Sequence, residues 1–323
     1  DVVRNGIVNI DAGTGDDTVV ATHFETTQIY GGAGSDNISA TTHASALIDG
    51  QDGNDTITEV LEGSRWSLLY YCYPDPISFE PDYATLRGGE GDDTINITVN
   101  SFISYGPGYS SANGKQYVQA FGDTGNDLIL LNDRAAGRDL NSTSNTGIFT
   151  ASLSGGDGDD TLEASGVLTL SYTGGSGADR FVLTYAQYQT LKAGSRQYGF
   201  SPGVSETVAP EPIVITDFNP NEGDTIVLNS LLENLAYYDG GNPFTLGIIT
   251  LSQVGGNVLI SIKEPGPEDH ATTPFAIIEN VSITSLGSTS FSPSFSIDGA
   301  PDLGGTINGT ENDDSLGDTP GND

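Results

Sequence analysis

One six-residue motif, x-G-x-G-x-D followed by a short apolar run, dominates the first half of this chain. It reads AGTGDD (12–17), GGAGSD (31–36), GQDGND (50–55), GGEGDD (88–93), GDTGND (122–127), GGDGDD (155–160) and GGSGAD (174–179). The loop starts are spaced 19, 19, 38, 34, 33 and 19 residues apart. The base period is therefore 19, with insertions after the third, fourth and fifth loops. A fixed period of this length marks a stack in which each unit contacts only its neighbours. Two repeats depart from the pattern, with Gln51 and Asp123 at the second glycine position.

The residue types at this spacing have a physical reason. Glycine at positive φ turns carbonyl oxygens toward one side, and the closing Asp adds a hard anionic oxygen. Calcium takes six to eight oxygen ligands, more than one loop supplies, so two stacked loops would share an ion. Two residues after each Asp stands an apolar side chain: Val19, Ile38, Ile57, Ile95, Ile129, Leu162 and, in the last repeat, Phe181 with Val182 beside it. These are expected to point inward along short strands of period two. A phosphate-cradling loop would need a Lys and a following helix, and these loops have neither.

The loops resemble the G-G-x-G-x-D-x-U-x nonapeptide of the RTX (repeats-in-toxin, hemolysin-type calcium-binding) family. The resemblance covers 11–184 and returns at 305–323. It implies a right-handed parallel β-roll, calcium as the bound ion and export by type I secretion. It also implies side-chain ligands at Asp17, Asp36, Asp55, Asp93, Asp127, Asp160 and Asp179. Loop geometry and backbone carbonyls then come from Gly13, Gly15, Gly32, Gly34, Gly53, Gly89, Gly91, Gly125, Gly156, Gly158, Gly175 and Gly177. That family repeats every nine residues. Here the half-turns ATHFET (21–26), ATTHAS (40–45) and ASGVLT (164–169) lack the motif, so a single calcium row is expected, of roughly six ions. The segment VITDFNPNEGDTIVL (214–228) closely resembles the one that follows the final repeat in RTX proteins.

The expected fold class is all-β. Residues 1–184 form the roll of 19-residue coils, with insertions at 58–86, 100–118 and 132–148. A connector (185–211) holds a short helix near 185–193. A small antiparallel β domain spans 212–297, its PIVITDFNPNEGDTIVL stretch reading as a hairpin. Residues 298–323 restart the repeat. The chain opens within the pattern and reads as a segment of something longer. The insertion 58–86 holds Trp66, Tyr70, Tyr71, Tyr73, Phe79, Tyr83 and Cys72. It either covers the flank of the stack or offers a contact surface for self-association or other surface components.

Charge narrows the function classes. Lys plus Arg total 10 against 44 Asp plus Glu, a net charge of −34, which opposes nucleic acid and anionic lipid. One cysteine excludes an internal disulfide framework, and no apolar run is long enough to span a membrane. His23, His43 and His270 fit no H-E-x-x-H pattern and read as surface residues, and no G-x-S-x-G elbow occurs. The third and fifth loop positions are too varied for an ice-matching array. The leading expectation is a non-enzymatic, calcium-binding structural module of a secreted bacterial protein at the cell surface: a surface layer, adhesin or filament. The alternative is an accessory segment of a secreted enzyme.

Overall fold

The computed structural model describes residues 6–62, 82–100, 115–133, 148–193, 196–201, 204–264 and 272–297. Cys72, Trp66, most of each insertion and the restarted repeat at 298–323 lie outside the described residues. The insertions are shorter than expected, because 58–61, 82–86, 116–118, 132–133 and 148 belong to strands.

The described residues are mostly β, and eighteen strands among them join in one largely parallel sheet. Each 19-residue pass adds one strand before its glycine loop and one after it. The leading row runs Ile7–Thr14, Thr18–Ala33, Asn37–Asp52, Asp82–Glu90, Gln116–Thr124, Ile148–Asp157 and Val167–Ser176, every neighbour parallel. Thr18–Ala33 and Asn37–Asp52 are long enough to serve both rows. The trailing row continues through Thr56–Leu61, Thr94–Val99, Leu128–Asp133, Thr161–Ser165 and Arg180–Val182.

Register places like beside like. In the leading row Ile10, Ile29, Ile48, Leu86, Ala120, Leu153 and Tyr172 pair in succession. In the trailing row the series is Val19, Ile38, Ile57, Ile95, Ile129, Leu162 and Phe181. All of the second series are buried, as the alternating pattern requires. Not every inward position is apolar. Glu59 is fully buried between Ala40 and Ile97 of the neighbouring passes.

After the last repeat comes the helix Tyr185–Lys192, capped by Thr184, whose hydroxyl accepts from Gln187 N at 3.1 Å. The Gln187 amide pairs with the Val167 backbone in both directions, at 2.7 and 3.0 Å. The connector also holds an antiparallel pair, Arg196–Ser201 with Val204–Val208.

The segment 212–297 departs from expectation. Ile213–Ile215 and Thr225–Val227 do not form a hairpin. They extend the leading and trailing rows in parallel, against Val167–Ser176 and Arg180–Val182. Thr273–Ile278 and Phe291–Ser292 extend them once more. Among the described residues of this segment, only Ile249–Val254, Asn257–Ile262 and Thr273–Ile278 pair antiparallel. The exposed edge amides of the last repeat supply the competing partner. This segment buries Phe244, Phe275, Phe291, Leu231 and Ile260. Among the described residues, no helix is long and apolar enough to cross a membrane.

Candidate metal centre

The seven loop Asp residues stack into one ladder along an edge of the sheet rows. The backbone N–H of Asp17 donates to Asp36 Oδ1 at 2.8 Å, and that of Asp36 to Asp55 Oδ1 at 2.7 Å. The pattern continues from Asp55 to Asp93, Asp93 to Asp127, Asp127 to Asp160 and Asp160 to Asp179, at 2.7–3.0 Å. Each carboxylate from Asp36 onward thus spends one oxygen on the pass before it. The other, Oδ2, is buried without a hydrogen-bond partner in all seven: Asp17, Asp36, Asp55, Asp93, Asp127, Asp160 and Asp179. Buried carboxylate oxygens are rarely left so.

Glycine makes room for this strip. The twelve glycines expected from sequence all adopt positive φ, between 99° and 137°. The first glycine of the loop matters for another reason. A Cβ on Gly50 would overlap both Asp55 Oδ2 and the carbonyl oxygen of Gly88. Gly31, Gly122 and Gly155 meet the equivalent pair of oxygens. The strip is therefore lined by carboxylate and carbonyl oxygen, a hard, all-oxygen donor set of the kind calcium takes.

Without a cation the strip is electrostatically costly. Burial pushes the carboxyls of Asp55, Asp127 and Asp179 up to about 6, and those of Asp93 and Asp160 up to about 7. The amide of the preceding pass pulls each down, and neighbouring acids push it up further.

A second ladder runs along the fifth loop position in the opposite sense. The amides of Ser35, Asn54, Asp92, Asn126, Asp159 and Ala178 donate to the side chains of Asp16, Ser35, Asn54, Asp92, Asn126 and Asp159. The varied residues at this position share one property, a short side chain that accepts a hydrogen bond. The series ends at Ala178, which packs against Gly223 of the next pass.

The closing segment seals the ladder. Asp179 N donates to Asp224 Oδ1 at 3.0 Å, while Asp224 Oδ2 accepts from Asn219 N at 2.7 Å. Asp217 accepts from Gly174 N and Gly175 N at 2.9 and 2.8 Å. Both residues serve the backbone of a loop. The two departures at the second glycine keep its conformation, with φ of 78° at Gln51 and 75° at Asp123. Asp123 is held by Arg87 Nη1 at 2.8 and 2.9 Å, and Arg87 lies 4.4 Å above the Phe121 ring.

No family model, no curated protein and no solved structure matches the chain.

Proposed function

We propose that the repeated passes are a right-handed parallel β-roll of the RTX type, and that its work is structural. On this reading the chain is a calcium-binding module of a secreted bacterial protein, serving in a surface layer, adhesin or extracellular filament.

The observation that carries the reading is the row of seven buried Oδ2 atoms without hydrogen-bond partners. Strands in neighbouring passes lie about 4.8 Å apart, so the row sets like charges side by side. Bound calcium supplies compensating positive charge to that row. The chain's residues do the rest. Asp17, Asp36, Asp55, Asp93, Asp127, Asp160 and Asp179 hold the ion, glycines keep carbon out of the strip, and the apolar series behind the loops fixes the register. Deprived of compensation, the acids favour a disordered chain, so binding and folding are one event. Extracellular calcium sites have dissociation constants of about 10⁻⁴–10⁻³ M, which keeps the chain unfolded before export and folds it afterwards.

Calcium titration by calorimetry, followed in parallel by far-UV circular dichroism, tests this. The expected result is cooperative uptake of several ions with a gain of β signal. Native dichroism and full protease resistance in chelator would refute it.

A further inference from the structure

A different set of donors gathers on the far turns of the first three passes. Sequence reading placed His43 on the surface, yet its side chain is only 3% exposed. His23 Nδ1 lies 3.7 Å and His43 Nδ1 lies 3.5 Å from the same oxygen, Glu62 Oε2. One ligand atom from each of the three residues falls within 4.8 Å of the others. The two imidazoles stack with centroids 5.9 Å apart. Side-chain exposure runs from 3% at His43 through 14% at Glu62 to 55% at His23, so the cluster reaches from the interior to the surface.

The backbone bends to bring these groups together. Thr22 pairs with Thr41 and Phe24 with Thr42, which leaves His23 as an extra residue on the first pass. Thr26 then pairs with Ser45, which leaves an extra residue on the second pass between Thr42 and Ser45, where His43 stands. Bulges of this kind re-aim side chains. His23 holds a φ of 63°, a left-handed conformation uncommon outside glycine.

Two imidazole nitrogens and one carboxylate oxygen suit zinc and similar borderline ions, whereas calcium prefers oxygen alone. Zinc holds such donors at about 2.0–2.2 Å in a tetrahedron, which sets them roughly 3.3–3.6 Å apart. The two separations to Glu62 are already close to that. We propose that His23, His43 and Glu62 form a zinc-class metal site that ties the first three passes together on the edge away from the Asp ladder. Three protein donors leave a fourth position, open to water on the His23 side.

The test is zinc titration of the full chain in saturating calcium, by calorimetry, with cobalt substituted to read tetrahedral geometry from visible absorption. Uptake is expected at one equivalent, with tetrahedral cobalt bands. His23→Ala removes a mostly exposed side chain, so the fold is retained, and should weaken binding by at least about tenfold. Glu62→Gln should do the same, while calcium uptake by the loops stays unchanged in both variants. Absence of zinc uptake overturns the proposal. So does uptake that is equal in wild type, His23→Ala and Glu62→Gln, which would put the ion elsewhere on the chain.

Discussion

The loop ending at Asp179 and the loop ending at Asp224 are built on one plan but satisfied differently. At Asp179 one carboxylate oxygen serves the preceding pass, and the other is buried with no hydrogen-bond partner. At Asp224 the first oxygen does the same, and the second accepts from Asn219 N. The closing loop uses two extra residues to fold its own amide onto the acid. The repeated loops use glycine and leave the oxygen open. The repeated passes thus leave a buried oxygen without a hydrogen-bond partner, whereas the closing segment is built around its own backbone and a core of Phe244, Phe275 and Phe291.

Chelator should separate the two regions most sharply. Hydrogen exchange in metal-free buffer at about pH 7.5 is expected to lose protection in Asn37–Asp52, Thr94–Val99, Leu128–Asp133 and Thr161–Ser165 and retain it in Ile249–Val254 and Asn257–Ile262. Equal loss in both would dissolve the distinction and make the molecule one cooperative unit.

The pH dependence comes next in size. The carboxyls of Asp55, Asp93, Asp127, Asp160 and Asp179 titrate near 6 to 7 when folded, against about 3.9 when unfolded. Between those values the folded state binds more protons than the unfolded. The contribution of these five carboxyls to the stability of the metal-free protein is then fully present below about pH 4 and lost as pH rises through 6 to 7. Calcium reverses the slope, because protons compete with it for the same oxygens. Melting temperatures at pH 5 and pH 8, with and without calcium, read both signs. A metal-free protein that gains stability across this range would break the argument.

Substitutions sharpen the comparison further. Asp93→Ala removes a proposed ligand and the acceptor for Asp55 N, and should cost about 2–3 kcal/mol in calcium while lowering its uptake. Asp224→Ala should cost about 1–3 kcal/mol with calcium stoichiometry unchanged. Denaturation paired with calorimetry separates the two outcomes. Glu59 is a smaller case. Burial raises its carboxyl to about 7 against the opposing pull of the Thr42 hydroxyl and amide. Glu59→Leu, matching its apolar neighbours in register, should stabilise by about 1–2 kcal/mol at pH 8. Gln51→Gly should add roughly 1 kcal/mol by relieving left-handed backbone. Asp123→Gly should not, since it releases Arg87. Urea midpoints decide both.

What could be read in the sequence was whatever recurred by residue type. The Asp at the sixth position repeats in identity and the residue two later repeats in apolar character, so the ladder residues and the inward series were legible. The fifth position repeats only in its ability to accept a hydrogen bond, and Asp, Ser and Asn in turn looked like irregularity. The parallel course of Ile213–Ile215 and Thr225–Val227 was hidden for another reason. DFNP and EGD carry strong local turn chemistry, while the true strand partners lie more than forty residues back. The His23, His43 and Glu62 grouping depends on two bulges in register, and one sequence carries no signal for them.

The two side-chain ladders run in opposite senses, so each pass is tied to both neighbours by groups within the repeat itself. An interior pass therefore needs nothing from either end. Duplicating or deleting one 19-residue unit gives every remaining rung a partner of the same kind, and the closing segment meets the same last loop. Overall length can change by gene duplication in steps of one pass without redesigning a terminus, and each step adds one more rung to the acidic row.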